Sequence, residues 1–92
     1  MQTYELTLIF KPELTEEQSD AIIDKLGVRI KTREKWGKRL LTYPIKKHKE
    51  GMYYLCEIEG EATVLKELEK TVNVDESVLR YLLIRKHNKK SD

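Results

Sequence analysis

The order in which the hydropathy period changes along the chain is what most constrains its fold. Tyr4, Leu6, Leu8 and Phe10 alternate with Thr3, Glu5, Thr7 and Ile9, the period-two pattern of a strand covered on one face. Lys11-Pro12 ends that strand. Thr15 and Gln18 then stand at capping-box spacing, with Glu16 and Glu17 in the first turn where a helix dipole favours carboxylates. Ile22, Ile23 and Leu26 make the apolar stripe of a helix of about 12 residues, roughly 18 Å long, and Gly27 supplies its stop. Period two returns at Val28. Val28, Ile30 and Thr32 are expected on one face, and Arg29, Lys31, Arg33 and Lys35 on the other. Gly37, after Trp36, predicts a bulge or bend, and the strand resumes through Leu40 to Ile45. Pro44 cannot donate to a ladder and so marks an edge strand. Lys46 to Gly51 reads as a hairpin connection into a strand over Met52 to Ile58. Gly60 opens a second helix with Val64, Leu65, Leu68 and Val72 at helical spacing. Asn73 to Ser77 reads as a loop, and Val78 to Lys86 as a last strand whose aliphatic content predicts extensive burial.

Strand, helix, strand, strand, helix, strand in 92 residues is one domain with a single thin core layer. Two right-handed crossovers in that order give a ferredoxin-like split βαββαβ, an α+β fold. Its four-stranded antiparallel sheet has the order 4-1-3-2, with both helices on one face. The domain is expected over residues 1–86, followed by a short basic tail at 87–92. The other sheet face is left open. Ile9, Tyr53 and Leu55 are expected there beside charged residues, and an apolar patch framed by charge often marks a protein partner.

Eighteen Lys and Arg against sixteen Asp and Glu give a net charge of only +2, which argues against a histone-like positive coat. The distribution is far from even. Residues 28–49 hold nine bases and one acid, Glu34, for a local charge of +8. The remainder holds nine bases and fifteen acids, or −6. Arg80, Arg85, Lys86, Lys89 and Lys90 make a smaller basic cluster at the end. A basic face of this kind suits a polyanion, because neutralising phosphates releases condensed counterions. The plainer alternative is a solvated strand edge whose lysines discourage aggregation.

No constellation for catalysis emerges. The single Cys56 excludes a disulfide framework, and its strand-like flanks make it a buried structural thiol in a reducing compartment. His48 and His87 lack ligands at metal spacing. The loop Lys11-Pro12-Glu13-Leu14 has no glycines to cradle a phosphate, and Ser19, Ser77 and Ser91 have no His or Asp partner. Glu16-Glu17 and Glu67-Glu69 read as helix surface rather than acid and base pairs. The chain is therefore expected to have no cofactor, no metal and no small-molecule substrate. Its start lacks a basic leader and apolar core, and no run approaches the roughly 18 apolar residues that span a bilayer; the expectation is a soluble, cytoplasmic protein with no membrane contact. Gly51-Met52-Tyr53-Tyr54 superficially resembles the Gly-aromatic segment of RNA recognition domains, but their second Gly/Ala-Phe element is absent. The arginines are better RNA-binding candidates than the tyrosines.

Several stretches are also those of a known family. Tyr4-Glu5, the run from Trp36 to Lys47 (Trp-Gly-Lys-Arg-Leu-Leu-Thr-Tyr-Pro-Ile-Lys-Lys), Gly51-Met52-Tyr53-Tyr54, and Val78 to Lys86 together resemble the bacterial small-subunit ribosomal protein six family over nearly the whole chain. The resemblance implies a non-catalytic, ferredoxin-like constituent of the small ribosomal subunit. It implies binding to the central domain of 16S ribosomal RNA at the platform, together with small-subunit ribosomal protein eighteen as a heterodimer partner. On the matched positions, Arg39, Arg80, Arg85 and Lys86 are the candidates for RNA contact, joined by Lys38, Lys46 and Lys47 of the same basic motif. Trp36, Tyr43, Tyr53 and Leu55 are the candidates for the protein partner. Three features depart from the family: Gln2-Thr3 replaces the usual basic start, the first helix is shorter by roughly two turns, and the tail is basic rather than acidic. A different class of function, a homodimeric ferredoxin-like module joined through its open face and holding a regulatory ligand, is the alternative.

Overall fold

The computed structural model of the chain describes residues 2–86; the basic tail expected at 87–92, with His87, Lys89 and Lys90, lies outside them. The alternating segment at the start forms β1 (Gln2–Phe10), with Leu6, Leu8 and Phe10 fully buried. Helix α1 (Glu16–Asp24) begins at the expected capping box. The Gln18 amide donates to Thr15 Oγ1 at 3.1 Å, and the Thr15 amide donates to Gln18 Oε1 at 2.9 Å. Gly27 follows at φ +77°, a conformation that costs glycine nothing. The helix has 9 residues, shorter than its apolar stripe predicts, because Leu26 packs into the core from the turn beyond it. Then come β2 (Arg29–Ile45), β3 (His48–Gly60), α2 (Ala62–Val74) and β4 (Val78–Arg85).

The sheet order is β2-β3-β1-β4, antiparallel throughout, as the element order requires. Tyr54, Cys56 and Ile58 of β3 join the even residues of β1 in one core with Ile23 of α1 and Leu65, Leu68 and Val72 of α2. Both helices therefore cover the same face. Each fully buried aliphatic side chain there contributes roughly 1.5–3 kcal/mol. Phe10 meets Tyr54 edge to face, with centroids 5.6 Å apart.

Four expectations need correction. The hairpin connection is two residues, Lys46 and Lys47, rather than six; His48 to Gly51 already pair with β2. Helix α2 continues through Asn73 and Val74, which were read as loop. The last strand is not largely buried: Val78 and Leu79 are, but Leu82 and Ile84 stand about half exposed on the open face. Both helices cover the other face, so the parity of β4 that lies beside Thr7 and Glu5 lacks cover.

The fourth concerns β2, whose face alternation fails at three register shifts, between Ile30 and Thr32, between Lys35 and Gly37 and between Leu40 and Ile45. After the first shift Thr32 lies opposite Glu57 and Arg33 opposite Cys56. Arg33 and Lys35 consequently turn toward the helices instead of joining Arg29 and Lys31. Such a slip moves side chains to the other face because the strand period is two.

Candidate functional site

The bulged β2 sorts the nine bases of residues 28–49 into two groups. Arg33 donates to Asp20 at 2.9 Å and to Asp24 at 2.7 Å, gripping α1 at two points. The hydrogen bond to Asp24, opposed by burial and helped by the bond to Asp20, raises the guanidinium pKa. Lys35 reaches Glu16 at 2.9 Å, and that bond chiefly raises its ammonium pKa. Arg29 and Lys31 lie against Glu59 and Glu57 at 3.6–3.8 Å. Four bases are thus matched to acids in the fold. Lys38, Arg39, Lys46, Lys47 and Lys49 form no ion pair among the described residues. The +8 segment is electrically free only at its second half.

That second half is an arm. Beyond Leu40 and Glu50 no third strand joins the two; the register shifts again, with Leu41 to Pro44 against Lys49 alone, and the strands close at Ile45 opposite His48. The turn residues Lys46 and Lys47 take φ values of 50° and 70°, the left-handed backbone of a tight two-residue hairpin. At the root of the arm a Cβ on Gly51 would run into Cγ2 of Ile9, so glycine is needed for the arm to lie across β1. The arm buries Ile9, although Ile9 belongs to the open face.

A cleft of about 240 Å³ lies between arm and sheet, lined by Ile9, Leu41, Tyr43, Pro44, Tyr53 and Arg80 among others. Lys46 and Arg80, 34 residues apart in sequence, both line a second cleft on the far side, beside Asn73 and Tyr81. Arg39 stacks over Trp36, 5.3 Å from the ring centroid, and the Trp36 indole N–H donates to Glu34 at 3.0 Å.

The structure brings Lys46 and Arg80 together at one cleft, with Lys47 next to Lys46 in the turn, while Lys38 and Arg39 stand at the root of the arm opposite Met52 and Gly51. It does not bring Arg85 and Lys86 there. Five residues of strand, about 17 Å, separate Arg85 from Arg80. The registers place the two on opposite faces, Arg80 beside Ile9 and Arg85 beside Tyr4. Lys86 is already held by Glu57 at 3.4 Å. The expected protein-contact set divides too. Leu55 lies in a sheet row with Leu82, Tyr43 and Tyr53 line the cleft, and Trp36 sits at the second bulge. Leu82 and Ile84 are the apolar surface that the sequence reading missed. Both parities of β4 are apolar, so only its place at the sheet edge, implied by the order 4-1-3-2, could have identified them.

The described residues contain no group of three or more His, Cys, Asp or Glu able to hold a metal, and no helix long and apolar enough to cross a membrane. The Cys56 thiol is buried and its pKa is pushed up, chiefly by burial, against a nucleophilic role. The molecule is a ferredoxin-like domain with unpaired bases along the arm and a half-apolar sheet face.

The chain belongs to the ribosomal protein S6 family, whose pattern matches residues 3–85; these are structural, non-enzymatic proteins of the small subunit of the bacterial cytoplasmic ribosome. It is 37% identical to the small ribosomal subunit protein bS6 of Heliobacterium modesticaldum, over 94% of this chain and 97% of that one. It is 39% identical to bS6 of Fusobacterium nucleatum, over 92% and 98%. Among solved structures, 30S ribosomal protein S6 of Thermotoga maritima superposes with a TM-score of 0.81 at 26% identity, over 92% of this chain and 87% of that one.

Proposed function

We propose that this chain binds the central domain of 16S ribosomal RNA, with small-subunit ribosomal protein eighteen as its heterodimer partner, and acts by positioning both. The observation that carries this reading is the sorting of charge. Bases elsewhere on β2 are matched to acids of the fold, whereas Lys38 and Arg39 at the root of the arm and Lys46 and Lys47 at its tip form no ion pair among the described residues, and Lys46 shares a cleft with Arg80. Cations left free in this way neutralise backbone phosphates and read RNA by shape. Arg85 and Lys86 form a second, smaller contact at the opposite end of β4. The partner protein docks on the open face along Leu55, Leu82 and Ile84, with Trp36 at its margin.

Affinity for the platform fragment of the RNA is expected to fall steeply with salt and to require protein eighteen. Arg80→Glu with Arg85→Glu should weaken that binding severalfold without lowering the melting temperature, since both side chains are exposed. Filter binding between 50 and 300 mM salt measures it. An unchanged curve removes these arginines from the interface. A stable homodimer in sedimentation, with no RNA affinity, would favour the homodimeric module instead.

A further inference from the structure

The cleft under the arm has a composition that phosphate contacts alone do not explain. Its floor is apolar (Ile9, Leu41 and Pro44), its aromatic side chains are Tyr43 and Tyr53, and Arg80 is its one charged residue. No carboxylate lines it. Tyr43, which lines the cleft, is 78% exposed, an aromatic face presented to solvent. Arg80 also lines the second cleft, as does Lys46, so Lys46 is the cation neighbouring Arg80. Lys47, Lys38 and Arg39 extend the same unpaired field, and Arg39 is aligned by stacking on Trp36.

An apolar side chain from a protein would fill the floor and leave Arg80 facing nothing of opposite charge. A planar heteroaromatic ring joined to a phosphate satisfies both halves of the cleft, because aromatic side chains stack on any base and Arg adds cation–π and phosphate contacts. The volume is about 240 Å³, below the roughly 300 Å³ at which ligand pockets begin, which suits one base. We propose that this cleft holds a single unstacked nucleotide of the bound RNA, its base against Tyr43 and Tyr53 and its phosphate on Arg80 and Lys46. The inference rests on the RNA-binding reading above. It moves Tyr43 and Tyr53 from the protein interface to the RNA interface.

The test compares wild type with Tyr43→Ala, Tyr53→Leu and Lys46→Gln for binding to the platform fragment in the presence of protein eighteen. Each tyrosine variant is expected to bind about 5- to 100-fold more weakly with an unchanged salt slope, because no cation is lost. Lys46→Gln should instead reduce that slope by about one. In parallel, adding a mixed-sequence RNA tetranucleotide to the isolated protein is expected to shift the methyl resonances of Ile9 and Leu41 in the wild type but not in Tyr43→Ala. Tyr43 is exposed, so this variant keeps its melting temperature even where Tyr53→Leu loses some. If the wild type fails to bind the fragment, the RNA reading itself falls. If it binds and both tyrosine variants match it, the nucleotide cleft alone is overturned. Tyrosine variants that lose RNA affinity because they no longer bind protein eighteen, while the tetranucleotide still shifts Ile9 and Leu41 in them, assign the cleft to the protein partner and overturn the proposal equally.

Discussion

Lys46 and Lys47 occupy a turn that most hairpins fill with Asn-Gly. Both are left-handed, at φ 50° and 70°, and that backbone costs a residue with a Cβ roughly 1–2 kcal/mol. The double change Lys46→Asn, Lys47→Gly is therefore expected to raise stability by about 1–2 kcal/mol, read as a higher urea midpoint at constant slope. The same variant should bind RNA more weakly, with a salt slope smaller by about two. A turn that gives up stability while holding two unpaired cations at the molecule's tip is the pattern expected of a contact site. If the midpoint does not rise, the strain argument fails, whatever happens to binding. The sequence carried the charge of these two residues but concealed their geometry, since Lys-Lys is not a turn signal; the connection therefore read as six residues long instead of two.

At the level of elements, β2 departs furthest from its sequence. Its strand character and the Gly37 bulge were legible from alternation and from glycine. The first register shift was not, because no Gly or Pro marks it and every residue from Arg29 to Lys35 except Ile30 is polar. With so little hydrophobic pattern to fix the register, tertiary pairing decides it, and α1 supplies that pairing through Asp20, Asp24 and Glu16. Arg33→Ala is expected to cost roughly 0.5–1 kcal/mol, part of it screened by salt. Arg29→Ala, whose single contact is 3.7 Å long on a mostly exposed side chain, should change thermal stability within error. Equal losses in the two variants would mean that the fork to α1 does not anchor the strand. The start of α1, by contrast, was legible to the residue because its capping box is local, and α2, which has no side-chain cap, was placed within two residues by Gly60 and its apolar stripe.

Across the whole molecule, one helix-covered core supports two surfaces, and the core was the most readable part. Alternation alone identified Leu6, Leu8 and Phe10, and its strand-like flanks identified Cys56 as buried. What pattern alone could not give was the way distant segments meet, Lys46 with Arg80 across the arm, or which face of an all-apolar edge strand lacks cover. Because the core is a single layer, a group buried in it reports on global unfolding. Cys56 is fully buried and its thiol is pushed up from an ordinary 9.0, mainly by burial. The Tyr54 hydroxyl is likewise raised from 10.0, chiefly by burial and then by Asp20. Both groups stay protonated in the folded protein at pH values where the unfolded chain has begun to lose the proton. Their contribution is thus complete below pH 9 and is lost as pH rises, first through the thiol and then through the phenol. The urea midpoint is expected to hold level from pH 7 to 8.5 and to decline above 9. Cys56→Ala should lower the midpoint at every pH, because it leaves a small cavity, yet flatten the decline between pH 9 and 10. A variant whose midpoint declines as steeply as the wild type over that interval would show that the thiol is not what the folded core keeps protonated.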